Sequence, residues 1–90
     1  MRNVRVDYSN RFIKALKKSP QKIKIAFRSR LELFLTDPYH PILNNHLLMG
    51  KYQKYRSINI TGDWRAVFQE LNDREIIYFD FIGTHSQLYK

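Results

Sequence analysis

Residues 2 to 8 alternate, with Val4, Val6 and Tyr8 on one side and Arg5 and Asp7 on the other, the period of a half-buried strand. The period then lengthens. Phe12, Ile13 and Leu16 recur at helical spacing with Lys14, Lys17 and Lys18 mostly opposite, and Ser9 stands where an N-cap would. Ser19-Pro20 reads as the N-cap and first position of a second helix, since proline there gives up no intrahelical hydrogen bond. Along that helix Ile23, Ala26, Phe27, Leu31 and Phe34 form an apolar stripe, which Asp37-Pro38 ends. The stretch from Asp37 to Gly50, rich in Pro, Asn and His, reads as an irregular connection. Three strands are expected after it. Tyr52 to Ile60 is rich in β-formers, Trp64 to Leu71 alternates Trp64/Ala66/Phe68 against Arg65/Val67/Gln69, and Glu75 to Ile82 is nearly continuous in Ile, Tyr and Phe. Thr61-Gly62-Asp63 and Asn72-Asp73-Arg74 carry the turn residues of two hairpins.

This order, β-α-α-β-β-β, predicts an α+β fold in which two N-terminal helices bury their stripes on one face of a small antiparallel sheet. The opposite face is then left open, a concave surface bearing charge and aromatics. No repeat, low-complexity segment or linker interrupts the pattern, and 90 residues fit one domain across 1–90.

Composition removes several classes. With 43% hydrophobic and 14% aromatic residues the chain has the apolar surface to fold, which sets it apart from basic disordered tails. The absence of cysteine excludes a disulfide scaffold, a Cys-based zinc site and a thiol nucleophile. No apolar run approaches the ~18 residues of a membrane span, and MRNVRVDYSN has no apolar signal-peptide core, so a soluble, cytoplasmic protein is expected.

Charge changes the picture more. The chain carries 16 Lys+Arg against 8 Asp+Glu, a formal net charge of +8. Residues 1–45 hold ten of the basic and three of the acidic residues, whereas residues 46–90 hold six and five. From Arg11 to Arg30 there are eight basic residues and no acid. Because apolar residues thread this block at helical spacing, it reads as the outer face of folded helices, with Lys14, Lys17, Lys18, Lys22 and Lys24 offered to an anionic partner. Nucleic acid is the expected partner, since Lys and Arg contacts to phosphates gain free energy from counterion release.

No phosphate-binding loop, dinucleotide fingerprint, zinc-protease helix, nucleophile elbow or EF-hand pattern occurs. What remains are His46, ahead of Leu47-Leu48-Met49-Gly50, Asp63 ahead of the only tryptophan, and His85 after an apolar strand and a glycine. A histidine, with an unperturbed pKa of about 6.5, moves protons near neutral pH, and it equally caps a strand end or a turn. Asp63 has a ready structural role in bonding the backbone of its own turn. Trp64 either anchors the core or stacks on a base. His40, between Tyr39 and Pro41, reads as a solvated loop residue. Tyr89 lies one residue from the C-terminus and needs something to hold it. The spacing of the histidines and the aspartate matches no ligand pattern, so no metal or other cofactor is assigned.

The segment His46-Leu47-Leu48-Met49-Gly50 followed by Lys51-Tyr52-Gln53-Lys54-Tyr55-Arg56, then Asp63-Trp64-Arg65, and the terminal Gly83-Thr84-His85-Ser86-Gln87-Leu88-Tyr89 resemble the RelE/ParE superfamily of bacterial toxins from type II toxin-antitoxin systems. Within it the chain is most similar to the YafQ-type ribosome-dependent mRNA interferases, and the resemblance spans essentially the whole chain. It implies a RelE-like microbial RNase fold, a ribosome and mRNA as targets, and an antitoxin partner, small and acidic, in a hetero-oligomeric complex. It also implies metal-independent cutting of mRNA in the ribosomal A site, the ribose 2′-OH attacking the adjacent phosphodiester. By the same resemblance His46, Asp63 and His85 hold the catalytic positions, and Tyr89 the terminal aromatic. Arg56 and Arg65 are candidates for the phosphate, and Trp64 or Tyr89 for stacking on a splayed base. The basic helices become a face for the ribosome and the antitoxin. Where these toxins tend to carry a second histidine and an acid in the second strand, this chain has Asn59 and Ser57. Two rival readings follow: a toxin of the ParE branch that binds DNA gyrase without nuclease activity, and an inactive nucleic-acid or partner-binding module.

Overall fold

In the computed structural model, which describes residues 3–89, the chain runs β1 (Arg5–Tyr8), α1 (Asn10–Lys18), α2 (Gln21–Thr36), β2 (His46–Leu47), β3 (Arg56–Asn59), β4 (Trp64–Leu71), β5 (Ile76–Thr84) and α3 (His85–Leu88). Short 3-10 turns sit at Pro41–Leu43 and Gly50–Tyr52. Residue 2, where the first strand was expected to begin, lies outside the described residues.

The strands form one sheet in the order β1-β5-β4-β3-β2. β3, β4 and β5 pair antiparallel, as the hairpin turns predict, and the short β2, from the stretch expected to be irregular, pairs antiparallel with β3, but β1 lies parallel beside β5, with Arg5 opposite Ile76 and Tyr8 opposite Phe79. The sheet is therefore mixed, where an antiparallel one was expected. Two helices and the meander separate β1 from β5, so no tight turn dictates their relative direction, and a parallel pair is open to a strand reached by such a crossover.

Local chemistry sets the helix ends. Ser9 caps α1 by accepting from the Phe12 backbone N–H. Ser19 does not open α2 as expected: its hydroxyl reaches back to donate to the Ala15 carbonyl at 2.8 Å, and Pro20 takes the capping position without a side-chain bond. Asp37 ends α2 as predicted. The expected strand from Tyr52 shortens to Arg56–Asn59, because Gly50 adopts a left-handed φ of 68° and begins a tight turn across the sheet.

The helices cover one sheet face with rings. Phe79 of β5 meets Tyr8, Phe12, Phe27, Phe34 and Phe68 at centroid distances between 5.4 and 6.2 Å. Ile23, Leu43, Ile58, Ile60, Ala66, Ile77 and Ile82 complete this core. Strict alternation fails at one place. A bulge between Val67 and Phe68 sets Phe81 opposite Val67 and Phe79 opposite Phe68, so Asp80 has no partner across β4. In β4, Ala66, Val67 and Phe68 are all buried, Ala66 and Phe68 in the helix-side core and Val67 beside Leu48, Tyr52 and Phe81 on the other face.

Asp80, 5% exposed, is the buried acid of this arrangement. Arg11 of α1 grips it bidentately, Nε to Oδ1 at 2.9 Å and Nη2 to Oδ2 at 2.7 Å, and the Tyr55 hydroxyl donates to Oδ2 at 2.9 Å. Ser9 donates to the Asp80 backbone carbonyl, so the cap of α1 is tied to the bulge. The Arg11 guanidinium also lies 4.0 Å from the centre of the Phe81 ring. The Arg11 hydrogen bonds, aided by those of Tyr55 and Ser9, outweigh burial and hold the Asp80 carboxyl below its ordinary value.

Replacing Phe79 by Ala is expected to destabilise the protein by about 3–5 kcal/mol, read by urea denaturation, because every ring around it loses a face. Asp80 adds a pH dependence of definite sign. Its folded-state pKa lies below the unfolded value of about 3.9, so its contribution is complete above that value and is lost as pH falls through the folded one. Asp80→Asn is expected to cost about 1.5–3 kcal/mol at pH 7 and to flatten the acid limb of stability against pH. An acid limb as steep as the wild type's would show that another group sets it.

Candidate active site

On the sheet face away from α1 and α2, His46, Ser57, Val67 and Phe81 are successive cross-strand partners and stand in one row. The next row holds Asn59, Arg65 and Gly83. Residues of opposite parity, Ile58, Ala66 and Ile82, belong to the helix-side core. This face is not the open concave surface expected. The segment from Leu48 to Tyr55 and the C-terminal turn fold over it, packing Tyr52 and Tyr55 on Phe81 at 5.8 and 5.6 Å and Tyr52 against Tyr89 at 6.5 Å.

His46 sits on the short strand β2 within the stretch expected to be irregular, and is exposed. Its Nδ1 lies 2.7 Å from the carbonyl of Asn44, a residue at left-handed φ 45°. A carbonyl only accepts, so Nδ1 carries the proton, and in the neutral ring Nε2 keeps its lone pair. His46 is thereby set in the tautomer of a proton acceptor.

The other two candidates meet at the far end of the strands. Thr84 and Gln87 form a capping box at the start of α3, the Thr84 hydroxyl accepting from the Gln87 N–H and the Gln87 side chain accepting from the Thr84 N–H. Gly83 makes room for this turn: a Cβ there would lie 3.0 Å from Gln87 Oε1 and 3.5 Å from Leu88 Cδ2. The His85 N–H donates to the Asp63 carbonyl at 2.9 Å, which fixes the start of α3 on the β3–β4 turn. Tyr89 is tied down: its hydroxyl donates to Ser57 Oγ at 3.2 Å, and its ring meets the His85 ring at 4.8 Å, edge to face. A continuous path thus joins the candidates, from His46 across the β2–β3 pair to Ser57, through Tyr89 to His85, and by the backbone to Asp63.

The remaining residues divide. Arg65 is on the same face, but its Nη1 lies 3.1 Å from the carbonyls of Thr61, Gly62 and Trp64, folded onto the turn that carries Asp63. Arg56 has the parity of Ile58 and points the other way, its Nε donating to Asn45 Oδ1 at 2.9 Å and its guanidinium 5.7 Å from the Tyr39 ring centre. It braces the connection ahead of His46 and does not share the face of His46. Trp64 packs against the helix-side core, beside Ala15, Lys18, Ile82 and Gln87, and so does not stand over the row of His46. His40 is half-buried, and its Nδ1 accepts from the Ile42 N–H to cap the turn at Pro41–Leu43. Asn59 Oδ1, on the site face, is buried without a partner among the described residues.

Of the five lysines, Lys14, Lys17, Lys18 and Lys22 are exposed and Lys24 is half-buried, and none joins an ion pair among the described residues. Between α1 and α2 a groove of about 470 Å³ has an apolar floor of Phe12, Ile13, Leu16, Phe27 and Leu31 and a basic rim of Lys17, Lys24 and Arg28. No group of three His, Asp or Glu side chains among the described residues is placed to hold a metal ion. No helix among them is long and apolar enough to cross a membrane.

The sequence reading missed the support of this face. Asp80, Arg11 and Tyr55 hold Phe81 and the Leu48–Tyr55 segment in place, and the available signal was a single acid inside the apolar run from Ile76 to Ile82.

Comparison with known proteins places this geometry. The mRNA interferase toxin YafQ of Escherichia coli (strain K12) is 26% identical over 88 residues, covering 93% of this chain and 94% of that protein. The E. coli DinJ-YafQ toxin-antitoxin complex contains a chain 25% identical with a TM-score of 0.71, covering 98% of this chain and 99% of that one. A YoeB/ParE toxin from Agrobacterium tumefaciens shares the fold at a TM-score of 0.76 with 12% identity, over 91% of this chain and 99% of that one. Residues 4–90 match the family described as the bacterial toxin of type II toxin-antitoxin systems, YafQ, and the chain belongs to that family.

Proposed function

We propose that this toxin is an endoribonuclease that inhibits translation by cutting mRNA in the ribosomal A site. The ribose 2′-OH attacks the adjacent phosphodiester, which requires a base for its proton, an acid for the departing 5′-oxygen and positive charge for the crowded phosphorane. His46, Asp63 and His85 take the acid-base positions, Arg65 faces the phosphate, and Tyr89 offers a ring to a splayed base. The carrying observation is the path from His46 through Ser57 and Tyr89 to His85 and Asp63, which links two histidines from distant parts of the chain. The Asn44 carbonyl on Nδ1 favours His46 as the base, leaving His85 to protonate the leaving oxygen.

The reading extends to the helical layer. Lys22 and Lys24 lie in the first turn of α2, where the helix dipole disfavours cations, so their charge serves a partner and not the helix. The groove between α1 and α2, apolar below and basic at its rim, suits an acidic amphipathic segment of a cognate antitoxin in a hetero-oligomeric complex. The mRNA and ribosome place the working toxin in the cytoplasm, as one domain across 1–90.

Cleavage mapping with purified 70S ribosomes is expected to show A-site cuts for the wild type and a fall of about 100-fold or more for His85→Ala, the scale of a lost general acid. Undiminished cuts would refute the role of His85. A DNA damage response in place of cutting would point to a gyrase poison, and no growth effect on expression to an inactive module. Replacing Lys14, Lys17 and Lys18 together by Gln is expected to weaken ribosome binding and to reduce the salt slope by about two to three, with the fold intact. An unchanged ribosome affinity would remove that face from the docking surface.

A further inference from the structure

Ser57 lies in the middle of β3 with no exposed surface, and its hydroxyl accepts the Tyr89 hydroxyl at 3.2 Å. A serine buried in a strand gains nothing from a hydroxyl unless the hydroxyl is paired. Here the partner is the residue that follows α3. That helix has only four residues, too few to repay the cost of nucleation by its own backbone bonds. The capping box fixes its first turn, and Tyr89 fixes its end through Ser57 and through the edge of Tyr52.

His85 depends on that end. Its backbone N–H is held by Asp63, but its ring is exposed, and the one ring contact described for it is Tyr89, four residues on, at 4.8 Å and 62°. Ser57 is also the direct cross-strand partner of His46. One hydroxyl therefore sits between the two histidines, bound to the ring that orients one and paired in the strand ladder with the other.

We infer that Ser57 is a positioning residue, which through the Tyr89 hydroxyl holds the His85 ring at a fixed place relative to His46. This rests on the ribonuclease reading only for its kinetic consequence. The bond is absent from Tyr89→Phe, which keeps the ring, and from Ser57→Ala, which keeps the strand.

The test has two arms. In the first, the ¹H shifts of the His85 ring, displaced by the Tyr89 ring current in the wild type, are expected to move toward those of a free histidine in both variants, while core methyl signals stay unchanged. In the second, single-turnover cleavage on ribosomes is expected to slow by about fivefold, the scale of one net hydrogen bond, with apparent KM within twofold. The double variant is expected to slow no more than the worse single one, since both remove one bond. Unmoved His85 signals in Tyr89→Phe, or signals that move with an unchanged cleavage rate, would overturn the proposal. A wild type that cuts no mRNA would overturn the ribonuclease reading alone, because the ring shifts still decide whether Ser57 orients His85.

Discussion

A carboxylate in the middle of an apolar central strand must be satisfied or it cannot be buried, and Asp80 is the constraint around which this molecule is arranged. Two other segments answer it, Arg11 from α1 and Tyr55 from the segment crossing the far face, while Ser9 binds the backbone carbonyl of the same residue. The bulge that frees Asp80 from the β4 ladder is what turns its carboxylate toward them. The ion pair is asymmetric, with side-chain exposures of 60% for Arg11 and 6% for Asp80. Only the acid loses much hydration, which makes this pair less costly than one buried at both ends. Because the partners lie on both sides of the sheet, one charge couples the helical layer to the cover over the site face. Arg11 also lies on Phe81, the last residue of the row that starts at His46.

The parts of the fold legible in the sequence are those governed by periodicity. The stripe from Ile23 to Phe34 is the buried face of α2, and Trp64 to Leu71 is β4 at the predicted bounds. What periodicity could not supply is pairing over long distances. Nothing in the alternation of Val4, Val6 and Tyr8 says that β1 will lie parallel to β5. Likewise His46-Leu47 is too short to register as a strand, yet its two ladder partners, Ser57 and Arg56, decide that His46 faces the same way as Ser57. Strand parity then corrected Arg56 and Trp64. Each neighbours a residue on the site face, and each points to the other side because successive strand residues alternate. The cover explains the remaining miss: alternation assigns Val67 and Phe68 to opposite faces, one exposed, but a face covered by Tyr52 and Phe81 buries both.

The uneven charge follows the two layers. The basic half is helical, and its lysines, of which all but Lys24 are exposed, join no ion pair among the described residues. Exposed lysines held this way add little to stability, and the two in the first turn of α2 oppose its dipole. The sheet half nearly balances its charges, and two of its arginines are held by neutral acceptors, Arg65 by the carbonyls of its own turn and Arg56 by the Asn45 amide, while Arg74 pairs with Glu70. Cations fixed by neutral acceptors retain their charge yet are restrained in position, and of these two only Arg65 lies on the face of His46.

The two histidines differ in how they are held. A base must present a lone pair before the reaction begins, and His46 has its tautomer set by a carbonyl on Nδ1. An acid needs no fixed tautomer, for both nitrogens of a charged imidazole carry protons; what it needs is to be aimed. His85 has that from its backbone bond to Asp63 and from the edge of Tyr89, and from no carboxylate in a described contact. The restraint on His46 thus sets a tautomer, and that on His85 sets the place of a ring.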